Sequence, residues 1–321
     1  MAESMRVAVI AAPGQIRIEE TRRPEPKPTE VRVKLEGSGV CASNVPLWEG
    51  RPWFRYPHEA GSPGHEGWGT VDAVGDEVSS VAPGDRVAML SYNAYGEYDV
   101  AEADRVVRLP DALAGQPFPG ECLGCAMNIF ARSAIEPGQT VAVVGVGFLG
   151  ALLISLARRA GAQVIAISRR LYARDVALEM GAAQTLAMDD RAAVVARVQE
   201  LTGGRGCERV IEAAGKQATL DLASELCAER GRLVIAGYHQ DEPRTVDMQL
   251  WNWRGIDVIN AHERDPQVYV QGMQRALDAV VRGDIDPLPL YTHSFPLEAL
   301  GDALEAARTR PDGMLKALVT P

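Results

Sequence analysis

The chain has 321 residues, 46% of them hydrophobic, with 33 lysines and arginines against 43 aspartates and glutamates for a formal net charge of −10 at pH 7. That length and apolar content suit two domains with separate cores, and the acidic balance, with no basic cluster, argues against a nucleic-acid or anionic-membrane partner. No run approaches the roughly 18 apolar residues of a membrane span, and MAESMRVAVI lacks the pattern of a leader, so a cytoplasmic, soluble protein is expected.

From Met5 to about Leu109 short β-rich runs follow one another (RVAVIAA, EVRVKLEG, GTVDAVGDEV, DRVAML and RVVRL), punctuated by Gly, Pro and Asp. They predict a mostly antiparallel β region. Near Asp111 the rhythm changes. VAVVG precedes the apolar helix FLGALLISLARRAG, then come QVIAIS, helix LYARDVALEMGA, ERVIEAAG, helix QATLDLASELCAERG, RLVIAG and GIDVINA. Strands alternating with helices predict a doubly wound parallel sheet. Helices near 266–282 and 297–308 and a last strand, MLKALVT, follow. The expected division is a β-rich domain of residues 1–122 completed by 262–321, with a dinucleotide-binding domain of residues 123–261 between them. The five cysteines, at 41, 122, 125, 207 and 227, are too scattered for a disulfide framework and are expected as thiols.

Gly145-Val146-Gly147-Phe148-Leu149-Gly150 follows an apolar strand and opens an apolar helix, the context a dinucleotide fingerprint requires. Gly145 allows a tight turn, Gly147 lets the pyrophosphate approach the backbone, and Gly150 brings helix against strand. Phe148 and Leu149 start the helix whose N-terminus faces the anion. An acidic residue ending the second strand would bind the ribose hydroxyls, but QVIAIS ends in Ser168-Arg169-Arg170. A hydroxyl and guanidinium groups suit a 2′-phosphate, which favours NADP over NAD. The alternative is that both arginines are solvated charges at a helix start.

SPGHEGWG sets His65 beside Glu66 among glycines. Alone it reads as a turn. Cys41 precedes it in GSGVCASNVPLWEG and Glu121 follows in PGECLGCAMN, so a thiolate, an imidazole and one or two carboxylates make a plausible catalytic zinc set. Each also has an ordinary reading, as a small core residue, a turn histidine and a helix-start charge.

Four features in chain order carry a resemblance: GVCASNVPLWEG, PGHEGWGTVDAVGDEVSSVAPGDRV, the ECL segment at Glu121 and VAVVGVGFLG. Over essentially its whole length the sequence resembles the medium-chain, zinc-dependent alcohol dehydrogenases, and within them the sorbitol (polyol) dehydrogenase branch. The resemblance implies an α/β protein with a GroES-like β-rich catalytic domain and a Rossmann domain. It also implies one catalytic zinc per chain, hydride transfer between a secondary alcohol or polyol and NADP(H) or NAD(H), and a homodimer or homotetramer. Cys41, His65 and Glu66 would hold the zinc, and Glu121, where simple alcohol dehydrogenases have a cysteine, would bind the metal or its water. Which of Glu66 and Glu121 binds zinc directly stays open. Ser43 matches the hydroxyl that relays the substrate proton. Asn44 stands where an aspartate usually orients the zinc histidine, and its amide oxygen is able to accept from His65. Lys316 matches a basic position near the cofactor pyrophosphate, or else is an exposed strand-end lysine.

Three departures accompany the likeness. Pro46 replaces the histidine that often continues the proton relay. Cys122 replaces a proline and is either a competing ligand or a spectator thiol. DRVAMLSYNAYGEYDV runs on where a four-cysteine structural zinc lobe would be inserted. Two other functions stay open: a zinc-free NADPH-dependent quinone or double-bond reductase of the same superfamily, and a non-enzymatic protein that kept the fold. Trp48, Tyr92, Asn93 and Tyr95 either line a pocket for a hydroxylated substrate or pack. His58, His239, His262 and His293 have no ligand spacing and read as structural.

Overall fold

The computed structural model describes residues 3–321; Met1 and Ala2, where the leaderless reading begins, lie outside the described residues. The chain divides into two compact units, one comprising the segment up to Cys125 with Arg264–Pro321, the other Ala126–Glu263. Among the described residues no helix is long and apolar enough to cross a membrane.

Six parallel strands build the second unit: β1 (Thr140–Val144), β2 (Gln163–Ser168), β3 (Gln184–Ala187), β4 (Cys207–Glu212), β5 (Cys227–Ile235) and β6 (Asp257–Asn260). Their spatial order is 3-2-1-4-5-6. Val141–Val144 and Val164–Ile167 are buried throughout, which is why these strands read as unbroken apolar runs: a parallel sheet covered by helices has no wet face. The order reverses between β1 and β4, the switch point where ligands bind beyond the carboxyl ends of such strands. Two local expectations differ. The helix read as QATLDLASELCAERG ends at Leu226, and Cys227–Arg230 begins β5 instead. Cys227 turns extended there and enters the sheet opposite Cys207 of β4, so burial beside that strand wins over helical continuation. The edge strand β3 has no sequence signal because its four residues, QTLA, are only partly buried.

In the first unit a seven-stranded sheet has Glu30–Gly39 at its centre. Gly67–Val74 and Tyr98–Glu102 pair with it antiparallel. The last strand, Lys316–Thr320, also pairs with it antiparallel, and Tyr291–Pro296 runs parallel to that last strand. Val31, Val33, Leu35, Val71, Val87 and Met89 close a core cluster on it. Register explains why distant residues meet. Ser38 faces Gly67 on one side and Val319 on the other. Thus Cys41, just past the central strand, comes close to His65-Glu66, just before Gly67, and to Lys316, the first residue of the last strand.

Candidate active site

Cys41 precedes the 3-10 turn Ala42–Asn44, and the amide of Val40 donates to Ala317 O at 2.9 Å, fixing the strand end beside Lys316. Ligand atoms of Cys41, His65 and Glu66 all lie within 4.8 Å of one another, a group able to hold a metal ion. His65 Nδ1 lies 2.8 Å from Pro63 O. A carbonyl only accepts, so Nδ1 donates there, and Nε2 is the nitrogen left to meet a metal once it gives up the proton that the surrounding charges favour. Asn44 takes a different part from the expected one. Its Nδ2 donates to that same Pro63 carbonyl (3.0 Å) and to Tyr95 Oη (3.2 Å), while Ser43 Oγ donates to its Oδ1 at 3.4 Å. The carbonyl two residues before His65 is nearer than an amide from another segment, so Asn44 orients the histidine at one remove.

Lys316 is neither exposed nor free: it is 5% exposed, and Nζ donates to Glu66 Oε1 at 2.6 Å and pairs with Oε2. Glu66 itself is fully buried. A Cβ at Gly39 would fall 1.8 Å from Glu66 Oε2 and 3.0 Å from Lys316 Cε, so the backbone there must be glycine to admit this pair. Burial opposes a charge on Lys316, but Cys122, the Glu66 carboxylate and Cys41 outweigh it and raise its pKa. The same holds at His65, where burial works downward yet Cys41, Glu121 and Glu66 together push the imidazole up to about 10.

Glu121, in the first turn of helix Gly120–Ser133, is buried, and burial raises its pKa against the opposing pull of His65. It lies outside the close group of three but contributes to the field on His65. Cys122 is buried and donates to Pro119 O at 3.2 Å; burial pushes its thiol well above the ordinary range. Cys125 Sγ donates to Glu121 Oε1 at 3.2 Å, a contact no local signal announced. Trp48 and Tyr95 are packed in a core cluster, Trp48 with its indole N–H on Glu305. Tyr92 is 64% exposed.

The donor chemistry fits zinc, which the sequence resemblance implied: one soft thiol, one imidazole and buried carboxylates, in a field that favours positive charge. On the second unit, Gly145 has φ +105, and a Cβ there would meet Ala214 Cβ at 2.9 Å. A Cβ on Gly150 would fall 2.2 Å from Gly145 O. Gly147 starts helix Phe148–Arg159 without a side-chain cap, and Phe148 is buried while Leu149 is half-buried. Backbone amides at that start fit a pyrophosphate. Ser168 Oγ accepts from the Arg170 amide at 3.4 Å, and Arg170 Nη2 reaches back to Val146 O at 3.2 Å. Arg174, passed over in the sequence, donates to Ser168 O (3.1 Å) and Arg169 O (3.2 Å). Arg169 is exposed. His239 has a structural partner, its Nε2 lying 2.9 Å from the buried Glu212 Oε2.

Residues 149–278 match the family model of zinc-binding dehydrogenases, and residues 27–111 that of the alcohol dehydrogenase GroES-like domain. Sorbitol dehydrogenase of Bacillus subtilis (strain 168) is 25% identical, covering 99% of this chain and 98% of its own. Sorbitol dehydrogenase of Homo sapiens is 28% identical, covering 95% and 92%. A solved structure assigned as a zinc-binding dehydrogenase, from Sinorhizobium meliloti 1021 and bound to NADP, aligns with a TM-score of 0.85 at 25% identity over 99% of this chain and 100% of that one. Both units match one family in their proper order, and the likeness runs the length of the chain: it belongs to the zinc-type medium-chain alcohol dehydrogenase superfamily and resembles its polyol branch.

Proposed function

We propose that this oxidoreductase is a zinc-dependent dehydrogenase moving a hydride between a secondary alcohol or polyol and a nicotinamide dinucleotide, NADP(H) in preference to NAD(H). The observation that carries the reading is the gathering of Cys41, His65 and Glu66 within 4.8 Å, at positions far apart in the chain. A zinc-free reductase has no use for such a set.

Cys41 and His65 Nε2 would hold the metal, together with one or both carboxylates. Lys316 compensates the charge of Glu66, and Glu121, outside the close group but acting on His65, is the further carboxylate proposed to serve the metal or its water. Bound zinc supplies a Lewis acid that lowers the pKa of the substrate hydroxyl. Ser43, whose hydroxyl lies on Asn44 Oδ1 at 3.4 Å, would take the proton of that hydroxyl and pass its own on to solvent water. A nicotinamide dinucleotide held at the Gly145–Gly150 turn would supply the hydride acceptor, so that alcohol and oxidised dinucleotide would give ketone (or aldehyde), reduced dinucleotide and one proton.

Ser168, Arg169, Arg170 and Arg174 would enclose the 2′-phosphate, and the relative solved with NADP supports that preference. Cytoplasmic homodimers or homotetramers are proposed as the working form, with the edge strand β6 and the exposed Trp253 beside it available for contact. The test of function is a screen of secondary alcohols, sugars and cyclitols with both cofactors, following nicotinamide absorbance. Turnover with none of them, by protein loaded with zinc, would defeat the proposal.

A further inference from the structure

Glu121 is gripped by a side chain that the proposed chemistry does not call for. Cys125 stands one turn on along helix Gly120–Ser133, where positions i and i+4 share a face. Its Sγ donates to Glu121 Oε1 at 3.2 Å, and Tyr269, on helix Pro266–Val281, lies near both. Close packing sets this up: a Cβ on Gly124 would fall 2.8 Å from the Met273 amide nitrogen, so glycine lets the two helices approach. Burial, reinforced by Glu121, pushes the Cys125 thiol well above its ordinary range. Burial likewise raises the Tyr269 hydroxyl. In this contact the thiol is the donor and the carboxylate oxygen the acceptor.

We infer that Cys125 is a positioning residue for Glu121, holding one carboxylate oxygen so that the group keeps a single orientation toward the metal site. This rests on the reading that Glu121 serves the metal or its water. A thiol that merely fills space would be replaceable by an apolar side chain of similar size. An orienting donor would not.

The test combines zinc release to a chelator with steady-state kinetics for Cys125→Val, Cys125→Ser, Glu121→Ala and the double variant Cys125→Val/Glu121→Ala, with folding checked by circular dichroism. Outer partners of metal sites typically contribute 10- to 100-fold, and a thiol is a weak donor, so Cys125→Val should release zinc about tenfold faster and lose about tenfold in kcat. Cys125→Ser should stay within about threefold of wild type, because it keeps a donor. In the Glu121→Ala background Cys125→Val should change neither readout. Losses that persist undiminished in that background, or a Cys125→Val protein that behaves as wild type, would overturn the inference while leaving Glu121 at the metal. Should Glu121→Ala itself keep normal zinc release and turnover, the underlying reading of Glu121 fails instead. If Cys125→Val does not fold, Cys125→Ala replaces it in the same cycle.

Discussion

Arg169 and Arg170 are neighbours in the chain with different tasks. Arg170 is engaged by the carbonyl of Val146 in the glycine loop, whereas Arg169 presents its guanidinium outward. Charge-assisted hydrogen bonds contribute roughly 1.5–3 kcal/mol, so Arg169→Ala should weaken NADP+ about ten- to a hundredfold and NAD+ far less. Values of kcat/KM for both cofactors decide this, and equal losses would show Arg169 to be a solvated charge. Asp99 offers a test of stability. It is buried and accepts from the amides of Asn93 (3.0 Å) and Val100 (2.8 Å), and burial pushes its carboxyl up to about 6. A carboxyl raised in the folded state binds its proton more tightly there, so its contribution to stability is lost as pH rises through about 6. Relative to Asp99→Asn, the wild type should lose stability between pH 4 and 7, by up to roughly 3 kcal/mol, measured by urea unfolding at each pH. A difference that stays constant with pH would contradict it. Cys41, His65 and Glu66 were singled out in the sequence by their combined donor types and by the family resemblance, and the fold brings their ligand atoms within 4.8 Å of one another. The partners of Lys316 and Cys125 were not legible there: they are fixed by register and helix packing, in the case of Lys316 across 250 residues of sequence.

Element by element, the strongest signals were those whose local chemistry and tertiary role agree. The β1 strand, its glycine turn and helix Phe148–Arg159 follow the same pattern in sequence and structure, because an apolar strand, a left-handed turn and a close helix each demand particular residues. At Gly150 the demand is steric. The 2.2 Å approach of an added Cβ to Gly145 O means Gly150→Ala must push the helix off the sheet. Overpacking of this kind costs about 1–3 kcal/mol, so the variant should melt several degrees lower and bind dinucleotide at least about tenfold more weakly, as read by calorimetry. Unaltered binding would show that the turn tolerates a side chain. The weak signals failed for a matching reason. The β3 strand is a short, half-wet edge, and the run through Cys227 keeps helical composition after its burial partner has become a strand.

At the scale of the whole molecule, the alternation of β-rich and βα segments conveyed the class, since each segment type builds only one kind of layer, while the family was carried by the four motif segments. Function is less legible, because donors brought together by folding do not themselves name a substrate. Everything proposed for the chemistry turns on Cys41, His65 and the nearby carboxylates forming a catalytic zinc site. The direct measurement is metal content with turnover, on protein purified without chelator, then stripped and reloaded, using an alcohol found active in the screen. About one zinc per chain is expected, with loss of turnover on stripping, recovery with zinc, and the same loss in His65→Ala. Metal-free protein that oxidises the alcohol at the full rate would contradict it.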